Sequence, residues 1–346
     1  MKGTQLKFSR LTIPLLAALI CATSCRSLKP TPSAERDVFA MDTFMTMKAY
    51  GDGADKALAA AEKRIHELES ELSVTDKNSD ISRINRANGA EVEVSCDTAF
   101  LVDAGGKYWV ETDGALDIRV YPVLREWGFT TGEYHVPDEA TITELLEKVH
   151  SGDIAVSETS VQIPAAAEID LGALAKGYTG DEIMAIFRDN GVTSALISLG
   201  GNVQALGGKP DGSDWRVGIK DPFSPDENMC VVSIADKAVI TSGNYERCFT
   251  GDDGRVYWHI IDPADGYPAD NGLVSVTVIG DSGLRCDALS TALFVMGTDG
   301  AQTYLRENTD VEAVLVTDGG TLLYTDGISE KLDITSDMPT EVISRD

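Results

Sequence analysis

Positive charge is what this sequence has least of. Lys and Arg number 29 against 56 Asp and Glu in 346 residues, a formal net charge of −27. Affinity for nucleic acid comes mostly from Lys and Arg neutralising phosphates, so the deficit argues against unaided binding to nucleic acid. It argues equally against a basic patch for anionic lipid. Histidine is scarce, with four residues, and no Cys-X-X-Cys pair occurs, which removes the usual zinc spacing. No internal repeat of 20–50 residues is visible. What is present is ordinary for a globular chain: 43% apolar and 25% charged residues rule out a disordered or fibrous protein. Charge here sets solubility and partners, not fold.

Residues 1–24 stand apart. Lys2, Lys7 and Arg10 precede the apolar run Leu11–Ala22, whose 12 residues are too few to span a membrane as a helix. A basic start, a short apolar stretch and small residues after it read as a secretory signal. Ala22-Thr23-Ser24-Cys25 resembles a bacterial lipobox, in which Cys25 becomes the lipid-modified first residue; a plain cleaved signal is the alternative. Cleavage ahead of Cys25 removes three basic residues and no acidic ones, leaving a net charge of −30. Residues 25–37, with Pro30, Pro32 and two serines, are expected to be a flexible tether. Cys96, Cys230, Cys248 and Cys286 are scattered, and a core of this size needs no staples, so free thiols are expected.

Along the rest of the chain, Phe39–Tyr50 reads as an opening strand. Leu58, Ala61, Ile65, Leu68 and Leu72 at three-to-four spacing predict an amphipathic helix over 54–72. Helices are also predicted up to Asn85, over 98–111, 139–150, 173–189, 284–295 and 300–307. Short β-type runs separated by Gly, Pro and Asp fill most of the remainder, including Val256–Ile261 and Val311–Thr317. The mixture lacks a regular βαβ repeat, so the expected class is α+β in one compact unit over 38–330, followed by a tail over 331–346.

Several segments can carry chemistry. Asp170-Leu-Gly-Ala-Leu-Ala-Lys176 is a strand-to-helix turn; a helix start offers free N–H groups to an anion, and Lys176 either meets a phosphate or is simply solvated. Ser198-Leu-Gly-Gly-Asn202 permits close backbone approach to a ligand or serves a plain turn. Thr241-Ser-Gly-Asn-Tyr-Glu-Arg247 lines a polar pocket or forms a hydrogen-bonded turn. His259 stands before the turn Asp262-Pro263, as a proton-transfer group or a structural histidine. Asp287 and Thr291, four apart on a predicted helix, share a face among Leu289, Leu293 and Phe294. A carboxylate and a hydroxyl so placed suit a hard cation such as Mg²⁺, or bond to each other. Gly114-Ala115-Leu116-Asp117 binds a heterocycle edge or is a turn.

Taken in order, these segments resemble the ApbE family, bacterial FAD:protein FMN transferases. The resemblance runs from Met41-Asp-Thr through Asp80–Asn85, Gly114–Asp117, Asp170–Asp181, Gly200-Gly201, Thr241–Gly243, His259–Pro263 and Asp287–Thr291. It covers roughly residues 38–325, and the ordered set is specific although no single motif is. It implies an ApbE-like (T-fold-like) catalytic domain with antiparallel-rich sheets. It also implies transfer of FMN from FAD, with Mg²⁺, to a threonine or serine hydroxyl in a Ser/Asp-Gly-Ala-Thr/Ser segment of a partner protein. AMP is released.

Carried over residue by residue, the resemblance makes Asp287, Thr291, the backbone of Ala173 and Ser290 metal ligands. Met41, Thr75, Ala115, Leu116, Asp117, Asp170, Lys176, His259 and Ile261 become FAD contacts, and His259 the base that deprotonates the acceptor. The implied acceptors are flavoprotein subunits of membrane redox complexes, for example of the sodium-pumping quinone reductase or Rnf type. The implied site of action is the periplasmic side of a membrane, held there through Cys25. Thr75 departs from the pattern, because the family carries an aromatic, often Tyr, at the adenine side. Hydrolysis of FAD to FMN and AMP is therefore one alternative, and a non-catalytic flavin-binding lipoprotein another.

Overall fold

The structure, a computed structural model, describes residues 31–345. The signal 1–24 and the lipobox Cys25 lie outside the described residues. Ser33–Ala40 (β1) and Thr43–Tyr50 (β2) form a hairpin in register from Ser33 opposite Tyr50 to Ala40 opposite Thr43. Phe39–Tyr50, read as a single strand, is therefore a strand end, a turn and a second strand. β1 also begins inside the segment expected to be tether. Ladder hydrogen bonds do not require apolar side chains, which is why the polar residues 33–37 carry no strand signal. The turn, Met41-Asp42, holds φ at +50° and +56°. Both values suit a two-residue type I′ loop, which normally selects Asn or Gly.

The hairpin opens a nine-stranded sheet. After β2 come Ser194–Leu199, Asn202–Leu206, Ala238–Gly243, Leu273–Gly280, Glu312–Thr317, Leu322–Thr325 and Thr340–Ile343. All neighbours are antiparallel except the last pair. The chain is α+β, as expected. The segment expected as a tail is not free over its described residues 331–345: Leu332–Ile334 pairs with Cys230–Val232, and Thr340–Ile343 closes the large sheet with Ile343 buried. Strands of three and four residues leave too little alternation to be seen in sequence.

Seven helices pack around this sheet among the described residues: α1 Ala54–Leu72, α2 Asp80–Arg86, α3 Cys96–Glu111, α4 Tyr121–Glu126, α5 Glu139–Val149, α6 Ala175–Asp189 and α7 Gly283–Glu307. α1 buries Leu58, Ile65 and Leu68 in one stripe and, with α6, covers the β1–β2 end of the sheet. Truncating any one of these three to Ala would cost about 2–5 kcal/mol. α7 covers the centre, against Ile240, Val276 and Val278. The alternate residues Val239, Ile279 and Val314 face a three-stranded sheet on the opposite side, the period-2 pattern of a strand buried on both faces. α7 was expected as two helices; it is one element broken at Gly297, where φ is +71°. Asn271 bridges the break, donating to the Val295 carbonyl at 2.7 Å and accepting from Thr298 N–H at 3.1 Å.

Candidate active site

α6 and α7 cross where each has a glycine. A Cβ on Gly177 would lie 2.6 Å from Asp287 Cβ and closer still to the Gly283 carbonyl oxygen, so only glycine permits this approach. The closeness lets each helix cap the other. Asp287 Oδ2, on α7, accepts from Gly177 N–H in the first turn of α6 at 2.8 Å. Asp181, on α6, accepts from the backbone of Gly283 at 2.6 Å and of Leu284 at 3.0 Å, at the start of α7. Both carboxylates thus satisfy N–H groups that a helix start leaves free. Asp287 caps a helix 110 positions away, and no hydrogen bond joins it to Thr291.

Burial raises the pKa of Asp287; the charge of Lys176 and the Gly177 N–H oppose that rise. Beside it lies Asn202, whose buried amide also opposes that rise, although its nitrogen is outside strict hydrogen-bond geometry with any partner among the described residues. Thr291 Oγ1 sits 3.3 Å from Ser242 Oγ at the end of the strand Ala238–Gly243. Ser290 is turned differently from the expectation. It lies about 100° round the helix from Thr291 and about 60° from Asp287. Its hydroxyl donates to the Asp287 carbonyl at 2.9 Å and meets Ser242 Oγ at 2.8 Å, with no exposed surface. It steadies Ser242 instead of reaching the cavity.

That cavity, of about 920 Å³, lies between the α6 start, the α7 face, the Met41-Asp42 turn and the loops after α1 and α3. Its volume is near the top of the range for small-molecule sites. Asp287, Thr291 and Ala173 line it, and so do Met41, Thr75, Ala115, Leu116, Asp117, Asp170, Lys176, His259 and Ile261. Ser290 alone of the expected site residues does not. The β-type run 256–261 is a strand only to Trp258; His259 follows it at the cavity wall, its N–H donating to the Arg247 carbonyl at 3.1 Å. Thr75 is exposed at the rim, with Oγ1 3.1 Å from Ser73 Oγ.

Charge is unevenly spent within this wall. The Asp117 carboxylate is held by Arg119 through hydrogen bonds of 2.8 Å to each oxygen, so it shapes the loop instead of offering a free charge. Lys176 and Arg247 line the cavity with no carboxylate within 4 Å among the described residues, which in so acidic a chain leaves two cations for a ligand. Burial and the nearby charges of Arg247 and Lys176 lower the His259 pKa to about 4. Its ring is neutral at pH 7, and its buried Nδ1 has no hydrogen-bond partner. Burial raises the Asp170 carboxyl, against the Gly172 N–H at 2.5 Å and the same two cations.

The donors fit a hard cation. One carboxylate, one hydroxyl and the neighbouring backbone suit Mg²⁺, which takes few protein ligands and leaves positions to water and phosphate oxygens. No cluster of three His, Cys, Asp or Glu side chains occurs among the described residues, so a softer metal has no cage. Glu69 escaped the sequence reading. It sits on α1, lines the cavity, and accepts from Met41 N–H at 2.6 Å, pinning the strained hairpin turn. Phe129 and Lys220 also line the wall and carried no local signal, whereas Tyr245 lies within the Thr241–Arg247 segment expected there.

The chain as a whole has relatives among known proteins. The ApbE family pattern matches residues 41–315. A FAD:protein FMN transferase of Klebsiella pneumoniae is 35% identical over 269 residues, covering 76% of this chain and 83% of its own. One of Treponema pallidum is 30% identical over 327 residues, covering 88% and 90%. Among solved structures, the ApbE protein of Thermotoga maritima superposes with a TM-score of 0.81 at 31% identity, over 87% of this chain and 99% of its own. The apo form of the Pseudomonas stutzeri flavinyl transferase ApbE gives 0.78 at 29%, over 88% and 98%. With the family pattern spanning most of its length and relatives of this similarity, the chain belongs to the ApbE family.

Proposed function

We propose that this protein is a Mg²⁺-dependent enzyme that transfers FMN from FAD to a threonine or serine hydroxyl of a partner protein. The observation that carries the reading is the convergence on one cavity of Asp287 and Thr291, the neutral His259 and the unpaired Lys176 and Arg247. In the reaction the acceptor oxygen bonds to the FMN-side phosphorus as the bridging P–O bond to AMP breaks. FMN remains as a phosphoester, AMP leaves, and the acceptor's proton passes to His259.

Asp287, Thr291 and the Ala173 backbone would hold Mg²⁺, whose bound charge offsets the pyrophosphate's and activates its phosphorus. Lys176 and Arg247 bind the same anion. Once bound, the anion removes the repulsion that holds the His259 pKa down, so the imidazole accepts a proton more readily in the complex than in the free enzyme. Met41, Ala115, Leu116 and Ile261 supply apolar wall for the ring systems. The signal pattern and Cys25 support an exported lipoprotein acting at the periplasmic face of a membrane. Its acceptors would there be subunits of membrane redox complexes.

The second reading, hydrolysis of FAD to FMN and AMP, is favoured by Thr75, which puts no aromatic at the adenine side. Incubation with FAD, Mg²⁺ and a recombinant domain carrying an Asp-Gly-Ala-Thr segment separates the two. Transfer adds one FMN mass to that domain; AMP release without the added mass means hydrolysis. Asp287→Ala is expected to abolish Mg²⁺-dependent AMP release, and unchanged turnover would refute the metal assignment.

A further inference from the structure

We propose that the aromatic hairpin beside His259 is the docking surface for an extended, apolar and basic segment of the acceptor protein; the inference rests on the transferase reading above. The hairpin is the two-stranded sheet Cys248–Thr250 with Val256–Trp258. Its Phe249 stacks on Tyr134 with ring centroids 5.1 Å apart and on Tyr257 at 5.6 Å. Phe129 stands 5.7 Å from Phe249 and 6.4 Å from the His259 ring. A continuous aromatic pile therefore runs from the surface to the wall of the cavity. Its outer end is open: Tyr134 is 47% and Val256 51% exposed. Trp127, fully buried under Tyr257 at 5.0 Å, holds the pile from below.

The backbone of the hairpin is open as well. Hydrogen bonds join His259 N–H to Arg247 C=O at 3.1 Å and Gly251 N–H to Arg255 C=O at 2.8 Å. The antiparallel alternation then turns the N–H and C=O of Cys248 and Thr250 outward, and no other strand pairs with this sheet among the described residues. An unpaired edge with alternating pockets is what strand addition uses. A segment added along Cys248–Thr250 lies against the aromatic pile and runs towards Arg247, which lines the cavity.

The occupant follows from the chemistry and the charge. The reaction needs a polypeptide hydroxyl at His259, and this face adjoins His259. Its rim carries Glu126, Glu133, Asp252 and Asp253 against Arg255. An acidic rim around an aromatic floor selects a segment with apolar and basic side chains, and it repels a second copy of this acidic chain.

The test uses the full-length enzyme, FAD, Mg²⁺ and the domain with the Asp-Gly-Ala-Thr segment. Tyr134→Ser combined with Val256→Ser, both at exposed positions, is expected to raise the acceptor KM about tenfold. The kcat at saturating acceptor and the FAD affinity, read by flavin fluorescence, should stay within about twofold of wild type. Tyr134→Phe should restore most of the acceptor KM. An unchanged acceptor KM in the double variant, with transfer proceeding, overturns the docking surface alone. Wild-type AMP release with no FMN on the acceptor overturns the transferase reading and this surface with it. A dimer in sedimentation that the double variant dissolves, without change in acceptor KM, assigns the face to self-association and also overturns the proposal.

Discussion

With Mg²⁺ saturating, so that the bound cation keeps Asp287 ionised against the rise that burial causes, acidifying the reaction is expected to leave FAD turnover nearly intact far below the pH at which an ordinary histidine base would fail. His259, with its pKa lowered to about 4, is about nine-tenths neutral at pH 5. An unperturbed histidine would be about 3% neutral there, so the two cases differ by about thirtyfold in rate. The sign is fixed by the cause. Burial, Arg247 and Lys176 all disfavour the imidazolium, so the active neutral form persists until the pH falls through about 4. The unfolded chain binds the same proton at the ordinary, higher pKa, so folding stability from this residue declines as pH drops from about 6.5 towards 4.

The assay is AMP release at low FAD and saturating Mg²⁺, which reads kcat/KM and hence the free enzyme. At saturating FAD the midpoint should move up, because the pyrophosphate then compensates Lys176 and Arg247. Lys176→Gln should raise the free-enzyme midpoint by removing one repelling charge. His259→Asn should lose about 10²–10⁴-fold and flatten the acid limb. A kcat/KM midpoint near 6.5, or one that Lys176→Gln leaves in place, would refute the electrostatic account of His259.

Three further outcomes are expected. Gly177→Ala forces a methyl between α6 and α7, where Asp287 Cβ would be 2.6 Å away, and should cost about 1–3 kcal/mol in urea denaturation together with Mg²⁺-dependent turnover; an unchanged midpoint contradicts the tight crossing. Ser242→Ala removes the hydroxyl that positions Thr291 and should weaken apparent Mg²⁺ affinity about 10–100-fold while FAD affinity at saturating Mg²⁺ holds; a Mg²⁺ titration matching wild type sinks that role. Thr75→Tyr supplies an aromatic face at the cavity rim and should lower the FAD KM and raise the ratio of transfer to hydrolysis; product ratios unchanged from wild type would remove Thr75 from the account.

Much of the helical framework was legible because its pattern is local. Leu58, Ile65 and Leu68 announce α1 through spacing alone, and every turn of that helix repeats the signal. The β1–β2 hairpin was harder, because Met41-Asp42 forms a turn that usually calls for Asn or Gly, and the signal that would mark it is missing. What holds those two residues at positive φ includes Glu69, 28 positions downstream. Ser290 shows the limit in the other direction. Its neighbours Asp287 and Thr291 are on the cavity face, but one step of helical rotation and a bond to its own helix carbonyl take it out.

The sequence by itself determined the class of the fold, the scarcity of positive charge and the ordered segments that identify the family, since each depends on residue type and spacing along the chain. Only the tertiary structure decided how those segments act. Two glycines let α6 and α7 approach until each helix start is capped by the other's carboxylate, and that contact sets Asp287 at the cavity. The low pKa of His259 arises from burial beside Lys176 and Arg247, residues far from it or near it in sequence without distinction. Two cations left unpaired among so many acids have meaning only once the fold shows them facing one cavity. Close packing and electrostatic fields act through space, and spacing along the chain does not encode them.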